Sequence, residues 1–318
     1  MPDYHLFGGV LRSEIEFPEL TPGTTATPDW SLHQFDSTPD LPGLSRLGTE
    51  DVDTGVTVTL YSSGRTRRLV FSDTGTFDIS QDGRRIDWVA PPDPDMEAVR
   101  KDVLGRVFAV ALDQEDVTTL HGSAVAIGDV AVAFLAPKFH GKSTTATALV
   151  NAGGRLLADD LVPVTSGERP MVLPSVPVVQ LWADSAAKVA GNASPVAPEQ
   201  VAPKLQISWK GPARNATEAF PLAAVYLLAP IKADGGGQVS RTRLCGVEAA
   251  LALLGQTKVG ALLGVERRAE LLHRLVELGD RVPVFRLEIP RDFGRIGELT
   301  SGLLGWHAAD APAADGST

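Results

Sequence analysis

The stretch from Leu120 to Val164 constrains this chain more than any other. It reads as an apolar run, a Gly128-Asp129 turn, a second apolar run, a glycine-containing loop, an alanine- and threonine-rich segment, Gly153-Gly154, and a third apolar run closed by Asp159-Asp160. Two apolar runs joined by a two-residue turn must pair as antiparallel neighbours. The glycines predict the end of a helix that starts at Lys142. A strand, a loop ending Gly141-Lys142-Ser143, a helix and a strand with two terminal carboxylates is the layout of a phosphate-binding loop followed by a metal-binding strand.

The chemistry requires these residue types. Backbone N–H groups at a helix start point at an anion, and glycine lets a phosphate approach. The lysine ammonium reaches the outer phosphates, and the serine hydroxyl ligates Mg²⁺. Gly-Lys-Ser or Gly-Lys-Thr arises by chance in roughly one chain in six of this length, so the flanking strands and carboxylates carry the argument. The loop Ala136-Pro137-Lys138-Phe139-His140-Gly141-Lys142-Ser143-Thr144 departs from G-x-x-x-x-G-K-[S/T], because Ala136 stands at the first glycine position and Pro137 removes a donor. Lys138 and His140 add side-chain donors. These substitutions predict altered affinity or phosphate preference rather than a lost site.

Asp159 and Asp160, adjacent at a strand end, project to opposite sides, so one can serve Mg²⁺ while the other faces an attacking hydroxyl. A strand-end solvating role for Asp160 is the plain alternative. His121 lies in the neighbouring run and is either a satisfied core histidine or a group that reaches the phosphates or an aspartate. Lys204, Lys210 and Arg214 flank a Pro/Ala/Asn-rich segment over 191–203 and are candidates to close over a triphosphate. Each taken singly also fits a surface position. Trp182 and Trp209 read as packing residues, and Cys245 as a small residue near a strand end.

Around this centre, residues 1–48 read as one strand plus irregular loop, because Pro, Thr and Gly dominate. Val56–Tyr61, Arg68–Phe71, Thr76–Ile79 and Ile86–Val89 predict a small antiparallel sheet, and residues 1–92 a β-rich module. Helical spacing follows from Met96 to Ala111. Further on come a Pro-interrupted β segment (171–179), a short helix (181–190), strands at 222–228, 239–244 and 282–289, a turn at 234–237, and helices at 246–254 and 264–278. The expected domain runs over 93–307, with a disordered Ala/Asp/Pro tail at 308–318.

Composition limits the partners. The chain has 318 residues, is 43% hydrophobic, and carries a formal charge of −10. That charge argues against a nucleic-acid backbone as partner. A single cysteine excludes an intrachain disulfide framework and offers no zinc cluster, which suggests a reducing compartment. With no apolar run long enough to span a bilayer, the expectation is a cytoplasmic protein. A homo-oligomer is open to it.

His121-Gly-Ser, the loop ending Gly141-Lys-Ser-Thr and Gly154-Arg-Leu-Leu-Ala-Asp-Asp160 resemble the catalytic domain of HPr kinase/phosphorylase and its shorter relatives. The looser resemblance covers about residues 95–306. It implies an α/β fold related to phosphoenolpyruvate carboxykinase with a mixed sheet, ATP or GTP with Mg²⁺, and phosphoryl transfer to a serine-type hydroxyl. On that basis the nucleotide contacts are Lys138, Phe139, His140, Gly141, Lys142, Ser143 and Thr144. Ser143 and Asp159 hold the metal, Asp160 is the base, His121 orients it, and Lys142 assists the transfer; the two aspartates could exchange roles. The family's glycine-rich signature after the Asp-Asp strand has no convincing counterpart here, which argues against HPr as substrate and leaves phosphorolysis open. The expectation is a kinase for a peptide, protein or metabolite hydroxyl. A non-catalytic nucleotide-binding regulator and a nucleotide hydrolase are the alternatives.

Overall fold

Short strands linked by turns open the chain and build the first of two large sheets. In the computed structural model, residues 1–307 are described except 54, 192, 196–203, 210, 212 and 232–237. Lys210, most of the 191–203 segment, the 234–237 turn and the 308–318 tail therefore lie outside the described residues.

The first sheet contains β1 (Asp3–Leu6), β2 (Gly9–Ser13), β3 (Thr21–Gly23), β4 (Trp30–Phe35), β5 (Ser45–Asp53), β6 (Val56–Ser62), β7 (Thr66–Phe71), β8 (Gly75–Ser80) and β9 (Arg85–Val89). Their order is β3-β1-β2-β4-β9-β8-β7-β6-β5. The four strands read from 56–89 are present. Residues 1–48 are not one strand plus loop: they contribute four strands and the start of a fifth. The sheet is also not wholly antiparallel, since β4 runs parallel to both β2 and β9. The reason is long range. β4 pairs with residues about fifty positions away, Ser31 opposite Arg85, and no local turn announces such a partner.

The connecting helical region matches its spacing. It comprises α1 (Met96–Asp102), a π-helical turn over Val103–Val107, and α2 (Phe108–Gln114). Asp95 caps α1 by accepting from the amides of Glu97 and Ala98. A single hydrophobic core runs from Leu11, Leu32 and Phe77 in the first sheet through Val107 and Phe108 to Leu253, Leu275 and Val284. Ion pairs Arg100–Glu19 and Arg106–Glu50 add to the contact.

The second sheet contains β10 (Thr118–Leu120), β11 (Gly122–Ile127), β12 (Val130–Leu135), β13 (Arg155–Asp159), β14 (Val162–Val164), β15 (Met171–Val172), β19 (Phe220–Ile231), β20 (Ser240–Leu244) and β21 (Val284–Pro290). β16 (Val179–Trp182), β17 (Ser194–Pro195) and β18 (Lys204–Ser208) form a small third sheet. β11 and β12 pair antiparallel as the two-residue turn requires, and β12, β19 and β21 run parallel, so the sheet is mixed. Helix α3 (Lys142–Asn151) covers one face with α4 (Ala183–Val189) and α7 (Ile296–His307); α5 (Gly246–Leu254) and α6 (Val265–Arg281) belong to the other core. The sequence pattern gave no helix at 296–307, where Gly297, Gly302 and Gly305 interrupt the spacing. Burial of Leu299 and Leu303 holds it.

The runs 118–127 and 155–164 are each broken once. β10 and β11 part at His121, while β13 and β14 part at Asp160. Ser123 pairs with Asp159 and Leu120 with Val162, so the two interruptions lie opposite each other. At Asp160 the backbone turns through φ +69°, and Leu161 N–H donates to Asp159 C=O at 2.9 Å. This tight three-residue turn is rare for a non-glycine residue and strained. It sends the Asp160 side chain out of the ladder and into the site.

Candidate functional site

The loop from Ala136 to Gly141 leaves β12 and feeds α3. Gly141 is the N-cap with φ +88°, and no side chain caps the helix, so its first-turn amides face outward for an anion. A Cβ at Gly141 would meet only Ile289 Cδ1 at 4.0 Å, so conformation rather than space demands glycine here. Gly141→Ala is expected to cost about 1–2 kcal/mol through the left-handed backbone and to weaken nucleotide binding in parallel. Thermal unfolding and a fluorescent-nucleotide titration measure the two effects. Helix α3 is rich in threonine, a poor helix former, and is held by burial of Thr145 through Val150.

Lys142 folds back over its own loop. Its Nζ donates to the carbonyls of Ala136 at 2.7 Å and Pro137 at 3.2 Å. Burial lowers its pKa to about 8, against the opposing pull of Asp159 and Asp160. Ser143 Oγ donates to Asp159 Oδ1 at 2.9 Å. Asp159 is buried and also accepts from Ser123 Oγ at 2.5 Å and from the Gln180 amide at 3.0 Å. Desolvation raises its pKa, and these hydrogen bonds pull it back.

Asp160 faces another way. Its side chain is 45% exposed, with Oδ2 2.6 Å from Lys258 Nζ and Oδ1 3.1 Å from His121 Nδ1. Desolvation opposes ionisation, but the Lys258 charge and the His121 hydrogen bond outweigh it and hold the carboxyl well below its ordinary range. Lys258 is the residue that sequence reasoning missed. Only 9% of its side chain is exposed, and a Cβ added at Gly105 of the π-helical turn would meet its Cε at 3.9 Å. The segment after α5 meets β10 through an isolated antiparallel bridge, Leu120 opposite Thr257: His121 N–H donates to Gln256 C=O at 2.6 Å, and Lys258 N–H to Thr119 C=O at 3.0 Å. Nothing local in Thr257-Lys258-Val259 signals this placement.

Removing Lys258 tests the pair. A folded pKa below the unfolded carboxylate value means a contribution present at neutral pH and lost as pH falls below about 4. Lys258→Met is therefore expected to lose about 1–2 kcal/mol at pH 7, less than a fully buried pair because the carboxylate is half exposed. The gap to the parent should narrow as pH falls below about 4 and close only below the depressed folded pKa, so denaturant unfolding should show a smaller gap at pH 3 than at pH 7.

The remaining sequence candidates divide. Phe139, with φ +68° and 72% exposed, stacks on Trp182 with centroids 5.2 Å apart. Lys204 Nζ lies 5.4 Å from the Trp182 ring, which places Lys204 beside the loop. Trp182 is thus not the packing residue expected, whereas Trp209 is buried. His140 Nδ1 contacts Lys138 C=O at 2.8 Å and shapes the loop, and Thr144 sits in the first turn of α3. Arg214 is not brought to the site: its guanidinium donates to Val150 C=O near the far end of α3. Cys245 is exposed and free at the start of α5.

Among the described residues, no cluster of three or more His, Cys, Asp or Glu side chains could hold a metal, and no helix is long and apolar enough to cross a membrane. Mg²⁺ does not require such a cluster, because it keeps waters and takes one or two carboxylates plus phosphate oxygens. Ser143 and Asp159 supply hard oxygen donors of that kind.

No family model and no curated protein matches the chain. Among solved structures, an HPr(Ser) kinase/phosphatase from Coxiella burnetii is similar at 12% identity and a TM-score of 0.33, over 61% of this chain and 99% of that one.

Proposed function

We propose that the protein is a Mg²⁺-dependent kinase that transfers the terminal phosphoryl group of ATP or GTP to a serine-type hydroxyl. The observation that carries this reading is the pairing of Ser143 with Asp159 at 2.9 Å while the next residue, Asp160, points away to His121 and Lys258. One carboxylate is thereby tied to the loop and the other is left for the acceptor. The motif resemblance of residues 120–164 supports the same reading.

In this reading the amides at the start of α3 take the inner phosphates, and Lys142 exchanges its loop carbonyls for outer phosphate oxygens. Ser143 and Asp159 would hold Mg²⁺, which would supply charge neutralisation on the phosphates. The acceptor oxygen bonds to the terminal phosphorus as the bond to the bridging oxygen breaks, and the hydroxyl proton passes to Asp160. The products are a phosphoester and a nucleoside diphosphate. A carboxylate held at low pKa is a weak base, but in a loose phosphoryl-transfer transition state the proton moves late and orientation dominates. Asp160 therefore orients the hydroxyl first. His121 and Lys258, which touch Asp160, are positioning residues.

The ion pair with Lys258 also favours a second reading, a nucleotide-binding regulator with little turnover, since it occupies the carboxylate a base would need. Incubation with γ-labelled ATP or GTP and Mg²⁺, with and without cell extract, decides. Label on an acceptor supports the kinase, free phosphate alone a hydrolase, and tight binding with neither product the regulator.

A further inference from the structure

The edge strand of the first sheet, β5, packs on the segment that carries Lys258. A bulge makes Leu47 an extra residue between the pairs Arg46–Tyr61 and Gly48–Leu60. Bulges at sheet edges bend the strand and re-aim a side chain. Leu47 packs against the shared core beside Gly264, where an added Cβ would meet Leu47 Cδ2 at 3.2 Å. At Gly48 there is no room for a side chain. A Cβ there would lie 2.7 Å from the carbonyl oxygen of Leu262 and 2.9 Å from that of Ala261. Two backbones meet at this point, so space demands glycine and no rotamer change relieves the clash.

The segment that Gly48 touches is stiff. Leu262 N–H donates to Val259 C=O at 2.9 Å, Arg268 donates to the carbonyls of Gly260 and Leu263 at 3.1 and 2.9 Å, and Val259, Leu262 and Leu263 are buried. A displacement at 261–262 is therefore passed to Lys258 rather than absorbed, because close-packed interiors transmit strain. The same strand reaches Lys258 by a second route. Glu50 pairs with Arg106 at 2.7 Å, and the residue before Arg106 is Gly105, where an added Cβ would meet Lys258 Cε. β5 thus braces both the backbone and the side chain of a residue that meets Asp160 at 2.6 Å.

Resting on the kinase reading, we propose that the first sheet is a working part of the transfer site, with Gly48 a positioning residue that sets Lys258 against Asp160. Gly48→Ala should lower labelling of the cell-extract acceptor, at saturating γ-labelled ATP and Mg²⁺, by about tenfold or more, with fluorescent-nucleotide affinity within about twofold of the parent. Thr49→Ala, at the next residue of β5, should leave labelling unchanged. Because Gly48 acts through Lys258, adding Gly48→Ala to Lys258→Met should cost less than about a further twofold, a coupling that a general loss of stability would not produce. Hydrogen exchange of residues 256–263 should speed up in Gly48→Ala and not in Thr49→Ala. Should Gly48→Ala not fold, Glu50→Gln, which removes one charge and no volume, enters the same cycle and should lower labelling in the same sense. Parent-like labelling by Lys258→Met, a loss that adds independently of Lys258, or unchanged exchange in the folded variant overturns the proposal. A parent that binds nucleotide but labels no acceptor removes the kinase reading instead, and hydrogen exchange then decides by itself whether β5 holds the Lys258 segment.

Discussion

On the kinase reading, replacing Asp160 by Asn is expected to lower phosphoryl transfer by about 10²–10⁴-fold while nucleotide affinity stays within about threefold, because the carboxylate contacts His121 and Lys258 and not the loop. The substitution has a side effect that must be separated. It leaves Lys258, only 9% exposed, without its counter-charge, and an unpaired buried ammonium destabilises the fold. Adding Lys258→Met to Asp160→Asn should restore stability and leave transfer low. A double variant that regained transfer together with stability would show that Asp160 serves the fold and not the chemistry. Single-turnover transfer and thermal unfolding of all four proteins supply the cycle.

Lys142→Met is expected to weaken nucleotide binding by about 10- to 150-fold, the equivalent of one charge-assisted hydrogen bond at about 1.5–3 kcal/mol. The same lysine predicts a pH dependence with a definite sign. Its pKa in the free protein is lowered to about 8 by burial, and bound phosphate favours the charged form. Nucleotide binding at pH 8 should therefore take up about half a proton, seen by calorimetry in buffers of different ionisation enthalpy. Affinity should fall by up to about tenfold between pH 7 and pH 9 as free Lys142 loses its proton. In Lys142→Met that slope should disappear. A slope that persisted would belong to another group.

How much of this site was legible beforehand follows from the range of the interactions. Glycine at 141, lysine at 142 and serine at 143 are local requirements of a strand-to-helix turn, and their spacing states them. The antiparallel pairing of Gly122–Ile127 with Val130–Leu135 is likewise dictated by a two-residue turn. Lys258 carries no such mark. It reaches Asp160 across 98 positions because residues 256–258 hydrogen-bond to Thr119 and His121, a long-range pairing that no local pattern announces. Arg214 failed for the mirror reason: it lies near Lys204 in sequence, but its peptide joins Leu156 at the opposite end of α3.

The amino-acid sequence by itself determined a loop, a helix start and two adjacent carboxylates, because backbone sterics and hydrogen bonding within a few residues leave little choice there. Which carboxylate meets the loop and which meets His121 and Lys258 was decided by tertiary structure. The paired breaks at His121 and Asp160, the left-handed turn at Asp160 and the arrival of Lys258 bury Asp159 against Ser143 and turn Asp160 outward. Charge and burial at those atoms depend on neighbours brought from elsewhere in the chain, and only the packed fold brings them.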